Sequence, residues 1–543
     1  MREESFFFAS FFITMEEMNA SERKAFMNQS DIPLLTMLNS HTAGNPVSFH
    51  VPGHKGGTGG NETVLDHADS QNSAYPQWLD MVMKIDVTEL ASTDDLHDPS
   101  GAILEAQLLA AECFGAEETS FLVGGSTSGN IALIIGTCLP GDLVLVQRNV
   151  HKSVLNGLQL SGARAVFLAP EMDKKTGIGS IPSLRTIQEG LALYPDAKAV
   201  FLTNPNYYGL SVDLRPYAEY IHEAGAVLLV DEAHGAHYGL HPSFPGSALQ
   251  AGADGVVQST HKTLSALTMG AMLHMQGERL DRSSVKQALT MIQSSSPSFP
   301  ILASLDAARA KVGIYGENWF EPGLQAAKRI RDWASDPKAP HPFRLLEREL
   351  QGEELRLDPL RIVLEDASGC LSGFRLQKEL ELRGCWPEMA DARYVVLIVG
   401  ARSEEKDADA LLAALEEIAS VNRLDEPASV IRLDEPADSR RIIAPLSESE
   451  NSRAEVVSLP VLLRRSKRIP EQEEKVMIKD SAGRLAAERI IPYPPGIPLV
   501  YEGERITSET AAHMQRLLEA GARFQGMSEE DRGCIAVRLP SSE

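Results

Sequence analysis

The chain has 543 residues, 43% hydrophobic and 23% charged, and a formal net charge of −24. That balance describes a folded protein with a core large enough for two or three domains, and the acidity argues against nucleic acid or an anionic membrane as partner, since both reward basic patches. The five cysteines (Cys113, Cys138, Cys370, Cys385 and Cys534) form no CxxC pair, which points away from a disulfide framework or a cysteine zinc site and towards the reducing cytoplasm.

The N-terminus carries a Phe-rich apolar run, Phe6 to Ile13, with acidic flanks. It is too short to span a bilayer and has the wrong flanks for a signal peptide. Residues 1–45 therefore read as a leader and arm, with Met15, Met18 or Met27 as alternative starts. From about Ser48 to Leu273, apolar strand-like runs alternate with amphipathic stretches. The runs are "TSFLVGG", "DLVLVQR", "ARAVFLAP", "AKAVFLTNP", "AVLLVDEAH" and "ADGVVQSTHK". Short, continuously apolar strands alternating with helices predict a mostly parallel sheet covered on both faces. In such sheets ligands bind beyond the carboxyl ends of the strands, where the polar clusters of this chain fall.

Residues 46–310 are thus expected to form a major domain. A smaller α+β domain should follow over 311–420, with strands in "RIVLEDASG" and "YVVLIVGA" and a helix in "ADALLAALEEIASV". Residues 421–445 read as a linker, in which RLDEPA occurs twice, at Arg423–Ala428 and Arg432–Ala437. Residues 446–543 form a last segment; its "RIIPYPPGIPLVYEGERIT" is too rich in Pro and Gly for a regular strand or helix.

Four clusters carry chemistry. "FLVGGSTSGN" runs from a strand through Gly124 and Gly125 to the hydroxyls of Ser126, Thr127 and Ser128. It reads either as a phosphate cradle at a helix start or as an ordinary helix cap. His151 follows a strand ending near Gln147, where an imidazole can stack on a planar ligand, exchange protons or cap the next helix. Asp231 ends a buried strand and needs a partner, which a protonated ring nitrogen would supply. Asp231, His234, His237 and His241 also have metal-like spacing, although Gly235, Gly239 and Pro242 work against a single helical face. Lys262 lies 31 residues beyond Asp231 in "STHKT", with one helix and one strand expected between them. A lysine for a Schiff base, an acid for a pyridinium nitrogen and donors for a phosphate are the parts of a pyridoxal phosphate pocket.

In this combination the chain resembles the fold-type I pyridoxal-phosphate enzymes, and within them the bacterial ornithine/lysine/arginine decarboxylase family. The resemblance is carried by "FHVPGHKGG", "TDDLHDPSG", "GGSTSGN", "NVHKSV", "DEAHGAH", "STHKTLSALTMGAMLH", "GCWPEMADARYVVLIV" and "PYPPGIPL", which span about residues 30 to 510. It implies an aspartate-aminotransferase-like large domain, a smaller α+β C-terminal domain, pyridoxal 5'-phosphate as cofactor and a homodimer or higher homo-oligomer. It resembles the shorter Gram-positive-type form, without the N-terminal wing.

By position, the resemblance implies Lys262 as the Schiff-base residue, Asp231 at the ring nitrogen, His151 stacked on one ring face and Ala233 on the other. His234 would lie near the phenolate side or the substrate carboxylate, and Ser126, Thr127, Ser259 and His261 would bind the phosphate. Glu388, and Asp94 or Asp95, are candidates for the far end of a basic substrate, with arginine favoured over lysine and ornithine. Three other readings remain: an aminotransferase or carbon–sulfur lyase on the same cofactor, a silent scaffold of the same fold, and a metal hydrolase.

Overall fold

The computed structural model describes residues 28–44, 48, 50–55, 77–173, 175–336, 338, 341–346, 355–422, 456–463, 473–493, 497–520, 522–525 and 533–539. The Phe-rich run, both copies of RLDEPA and Pro494–Gly496 of the Pro-rich segment lie outside them.

The six predicted apolar runs form β1 (Glu118–Leu122), β2 (Leu143–Gln147), β3 (Arg164–Leu168), β4 (Ala199–Thr203), β5 (Val227–Asp231) and β6 (Gly255–Gln258), and a seventh strand, β7 (Ala271–Met275), joins them. They lie side by side in the order β1-β7-β6-β5-β4-β2-β3. Strands β6, β5, β4, β2 and β3 are parallel, and β7 runs antiparallel to both its neighbours. Alternate residues of each strand enter different cores. In β4, Val200 and Leu202 join one apolar cluster while Ala199 and Phe201 join another. Both faces of the sheet are therefore dry, which is why these runs show no polar alternation. Each fully buried Val, Leu or Phe contributes about 1.5–3 kcal/mol.

Helix α1 (Gly125–Thr137) follows β1 and packs closely on α2 (Arg282–Ile292). The approach depends on Gly136, where a Cβ would lie 2.6 Å from Val285 Cα. One expected helix does not form. The segment from Glu232 to Asp254, between β5 and β6, crosses as turns closed by Gly235 N–H to Glu232 O, Tyr238 N–H to Gly235 O and Gly239 N–H to Pro245 O. Gly235, Gly239, Pro242 and Pro245 are too frequent for a helix to nucleate.

A second sheet contains β8 (Phe343–Leu345), β9 (Arg361–Asp366), β10 (Met389–Ala390) and β11 (Tyr394–Ile398), all antiparallel, in the order β10-β11-β9-β8. Ile362 and Leu364 of β9 share a core with Leu376, Leu380, Leu415 and Ile418 of flanking helices. Val363 and Val396 turn the other way, into a cluster with Leu210, Tyr207 and Tyr208 of the major domain. A short ladder of Arg356–Leu357 on Leu210–Ser211 joins the two regions.

The C-terminal segment contributes β12 (Val461–Leu462), which pairs with β3 as an eighth, antiparallel edge strand of the large sheet. It also contributes β13 (Glu473–Met477) and β14 (Cys534–Arg538), which pair with each other over a small core of Ile478, Ile490, Val500, Met514 and Val537. Tyr501 docks this core on the major domain, stacking on Phe167 with ring centroids 4.6 Å apart and donating its hydroxyl to Arg148 O. Arg148 in turn bonds Glu504 at 2.7 Å. Among the described residues, no helix is long and apolar enough to cross a membrane.

Candidate active site

Because β6, β5, β4 and β2 are parallel neighbours, their carboxyl ends share one edge of the sheet. Lys262 lies just past β6, Asp231 ends β5, Thr203 ends β4 beside it, and His151 lies just past β2. The topology thus assembles residues from across more than a hundred positions of sequence into one row.

Asp231 is 3% exposed, and its partners are neutral donors. Asn130 Nδ2 donates to Oδ2 at 2.8 Å and Ala233 N–H to Oδ1 at 3.1 Å. No cation among the described residues is hydrogen-bonded to it, so the carboxylate is placed and supported while remaining available to a cationic ligand atom. Asn130 also reaches Ser153 Oγ at 2.9 Å, and Ser153 Oγ lies 2.8 Å from His151 Nδ1. His151 is the N-cap of the helix Lys152–Ser161, accepting from Ser153 N–H through the same Nδ1. The capping reading is therefore correct for that nitrogen, and it fixes the ring. Burial lowers the His151 pKa, with Asp231 opposing, and favours the neutral imidazole.

Lys262 occupies a single helical turn, Thr260–Thr263. Its Nζ lies 3.1 Å from His234 Nε2. Burial lowers its pKa, and Asp231 and Glu388 offset part of that effect. His234 is 4% exposed, and burial first, with Lys262 and Arg361 nearby, holds its pKa well below the ordinary value. Its other nitrogen, Nδ1, accepts from Arg361 Nη2 at 3.3 Å, and Tyr207 lies against its ring with centroids 4.6 Å apart.

The helix that begins at Gly125 has no side-chain cap at its N-cap, Gly124. The cap expected from Ser126 or Thr127 does not form, because both lie inside the first turn. Gly125 N–H goes to Met269 O, Ser126 is half-buried and Thr127 is exposed, and an uncapped helix start of this kind is a standard setting for a phosphate. Ser259 is fully buried, yet its Oγ has no hydrogen-bond partner among the described residues. A buried orphan hydroxyl and an uncapped helix start at strand ends on the same edge of the sheet are features a phosphate would satisfy, so the residues present fit pyridoxal phosphate. The His261 ring points to Gly270 O, at 2.9 Å from Nδ1.

The remaining candidates separate. Glu388 is exposed but close enough to interact electrostatically with Lys262 and His261. Asp94 accepts from four backbone N–H groups, those of Asp95, Ser100, Gly101 and Ile103. Asp95 accepts from the backbone of His97 and Asp98. Both acids build the turn ahead of the helix Ala102–Phe114, and no described contact joins either to Lys262. The metal-like set also diverges. Asp231 faces Asn130, His234 faces Lys262 and Arg361, His237 faces Asp358 at 3.1 Å, and His241 faces Glu321 at 3.3 Å. Sequence reasoning missed Asn130, Ser153, Tyr207 and Arg361. Asn130 stood inside the "GGSTSGN" motif, and Arg361 was the one charge opening an apolar strand.

Comparison with known proteins identifies the family. The family described as "Orn/Lys/Arg decarboxylase, major domain" matches residues 32–396, and its C-terminal domain matches residues 464–538. The uncharacterized protein YaaO of Bacillus subtilis is 41% identical over 91% of this chain and 96% of its own length. An arginine decarboxylase of Bacillus subtilis is 32% identical over 94% of this chain and 98% of its own. The solved structure of lysine decarboxylase A from Pseudomonas aeruginosa superimposes with a TM-score of 0.75 at 22% identity, covering 93% of this chain and 80% of that one. The chain belongs to the ornithine/lysine/arginine decarboxylase family, pyridoxal-phosphate-dependent amino-acid decarboxylases of fold-type I.

Proposed function

We propose that this decarboxylase acts on a basic amino acid, arginine ahead of lysine and ornithine, releasing CO2 and the corresponding amine. The observation that carries this reading is Glu388, an acid within electrostatic reach of Lys262, where it can meet the distal cation of an extended substrate. A guanidinium rewards a bidentate carboxylate more than an ammonium does. The near full-length likeness to an arginine decarboxylase supports the same order.

Pyridoxal phosphate, when bound, supplies a conjugated ring that accepts the electrons left when the bond from Cα to the carboxylate breaks. The residues of this chain would divide the remaining work. Ser126, Thr127, Ser259 and His261 would hold the phosphate, His151 and Ala233 would enclose the ring, and Asp231 would keep a proton on the ring nitrogen. Lys262, depressed by burial, would present a nucleophilic amine and later return a proton to Cα. His234 is held neutral by its surroundings and is the poorer proton source of the two.

The test is an equimolar pool of arginine, lysine and ornithine given to the purified protein with pyridoxal phosphate, with products read by mass spectrometry. Agmatine is expected to dominate over cadaverine and putrescine, and Lys262→Ala to lose both turnover and the visible band of bound cofactor. A keto acid, a released thiol or no conversion of any of the three would overturn the assignment.

A further inference from the structure

Arg361 opens β9 and is fully buried. It fits only because Gly209, at φ +82°, has no side chain: a Cβ there would lie 2.7 Å from Arg361 Cβ. Of its guanidinium nitrogens, Nη2 meets His234 Nδ1 at 3.3 Å, while Nε and Nη1 have no partner among the described residues. The buried Asp358 carboxylate lies within electrostatic reach and offsets part of the guanidinium's desolvation, but two of its three nitrogens keep no hydrogen-bond partner among the described residues.

Its chemistry settles the protons of the neighbouring imidazole. A guanidinium can only donate, so Nδ1 of His234 must be the accepting nitrogen. A neutral imidazole carries one proton, which then resides on Nε2. That nitrogen faces Lys262 Nζ at 3.1 Å. Because Nε2–H is a donor, the lysine must accept through a lone pair, which an ammonium lacks. The chain Arg361 to His234 to Lys262 is consistent in hydrogen-bond direction only when Lys262 is an uncharged amine.

We propose that Arg361 is a positioning residue that fixes His234 as the Nε2–H tautomer and thereby holds Lys262 as the free base able to attack the cofactor's aldehyde. The other charged and titratable groups around this pair are known. Asp231 and Glu388 favour the lysine's charge, while His151 and His261 stand near His234 together with the Tyr207 ring. The two acids oppose the relay, which explains why a directed hydrogen bond is needed in addition to burial. The inference rests on Lys262 as the cofactor-bearing residue, but its first readout needs no cofactor.

The experiment uses cofactor-free full-length protein with 15N-labelled histidine, the His234 signals being assigned by their loss in His234→Gln. Wild type should show His234 protonated on Nε2. Arg361→Met should let the Nδ1–H form appear, and should raise by about one unit the pH at which the visible cofactor band forms at half-maximal rate, a tenfold smaller amine fraction at fixed pH. Arg361→Lys should restore the Nε2–H form. His234 found as Nδ1–H in wild type, or an Arg361→Met variant with tautomer and pH profile unchanged, would overturn the proposal. If Arg361→Met does not fold, the wild-type tautomer decides alone. Failure of wild type to form any band would instead remove the cofactor assignment and leave the tautomer result standing.

Discussion

Two fully buried arginines show opposite uses of the same side chain. Arg309 commits both terminal nitrogens, donating to Gln29 O at 2.7 Å, to Asp31 O at 2.6 Å and to the Asp306 carboxylate. Asp306 also accepts Leu34 N–H at 3.1 Å, so this pair ties the N-terminal arm to the helix Phe299–Tyr315. Arg361 spends one nitrogen on His234 and leaves two unpaired beside Lys262. The first arrangement offsets its desolvation cost internally and serves structure. The second relies on the nearby Asp358 carboxylate for charge and leaves two donors open among the described residues, against the single open Nε of Arg309.

The comparison can be broken most directly at Asp306. Asp306→Ala leaves Arg309 buried without its anion and should cost about 3–5 kcal/mol of stability. Urea midpoints should show that loss, while turnover per folded molecule stays near wild type. An intact midpoint with lost turnover would place this cluster in the chemistry instead. A smaller effect of the opposite kind is expected at the strand ends. Asn130→Ala removes a hydrogen bond to a charged acceptor, worth about 1.5–3 kcal/mol. It should lower kcat about tenfold or more, with a much smaller change in the unfolding midpoint.

Glu105 gives the finest test, because it borders the structural cluster. Burial pushes its carboxyl up to about 7, with Asp31 and Asp306 adding to the shift and Arg309 opposing it. The folded protein therefore binds this proton more tightly than the unfolded chain does. Stability is fullest below the ordinary carboxylate pKa and declines as pH rises to about 7. Glu105→Gln should flatten that decline and make the variant more stable than wild type above pH 7 by about 1–2 kcal/mol, after allowing for the group's partial solvent contact. Unchanged pH dependence of the midpoint would show that Glu105 is already ionised in the folded state.

Much of this molecule was legible in the order of its residues. Continuous apolar runs such as "AVLLVDEAH" could only be strands of a sheet covered on both faces, and short helices between them required parallel strands. That logic alone located Asp231 and Lys262 at strand ends and explains why their pairing with the glycine and hydroxyl motif pointed to a phosphate-bearing cofactor. The helix expected between them failed because Gly and Pro density outweighs polar periodicity in Glu232–Asp254. Asp94 looked equally available as a ligand, since nothing local announces that four backbone N–H groups converge on it.

What the sequence by itself determined is the list of chemical parts and the strands that carry them, because strand burial and turn preference act over a few residues. What only the tertiary structure decided is which side chains complete each part. Asn130 meets Asp231 across 101 positions and Arg361 meets His234 across 127. Such pairings follow from strand order and from the seating of the small sheet on Tyr207–Leu210, where Gly209 makes room for the guanidinium. They are consequences of packing between distant segments, and no short-range pattern in the chain encodes them.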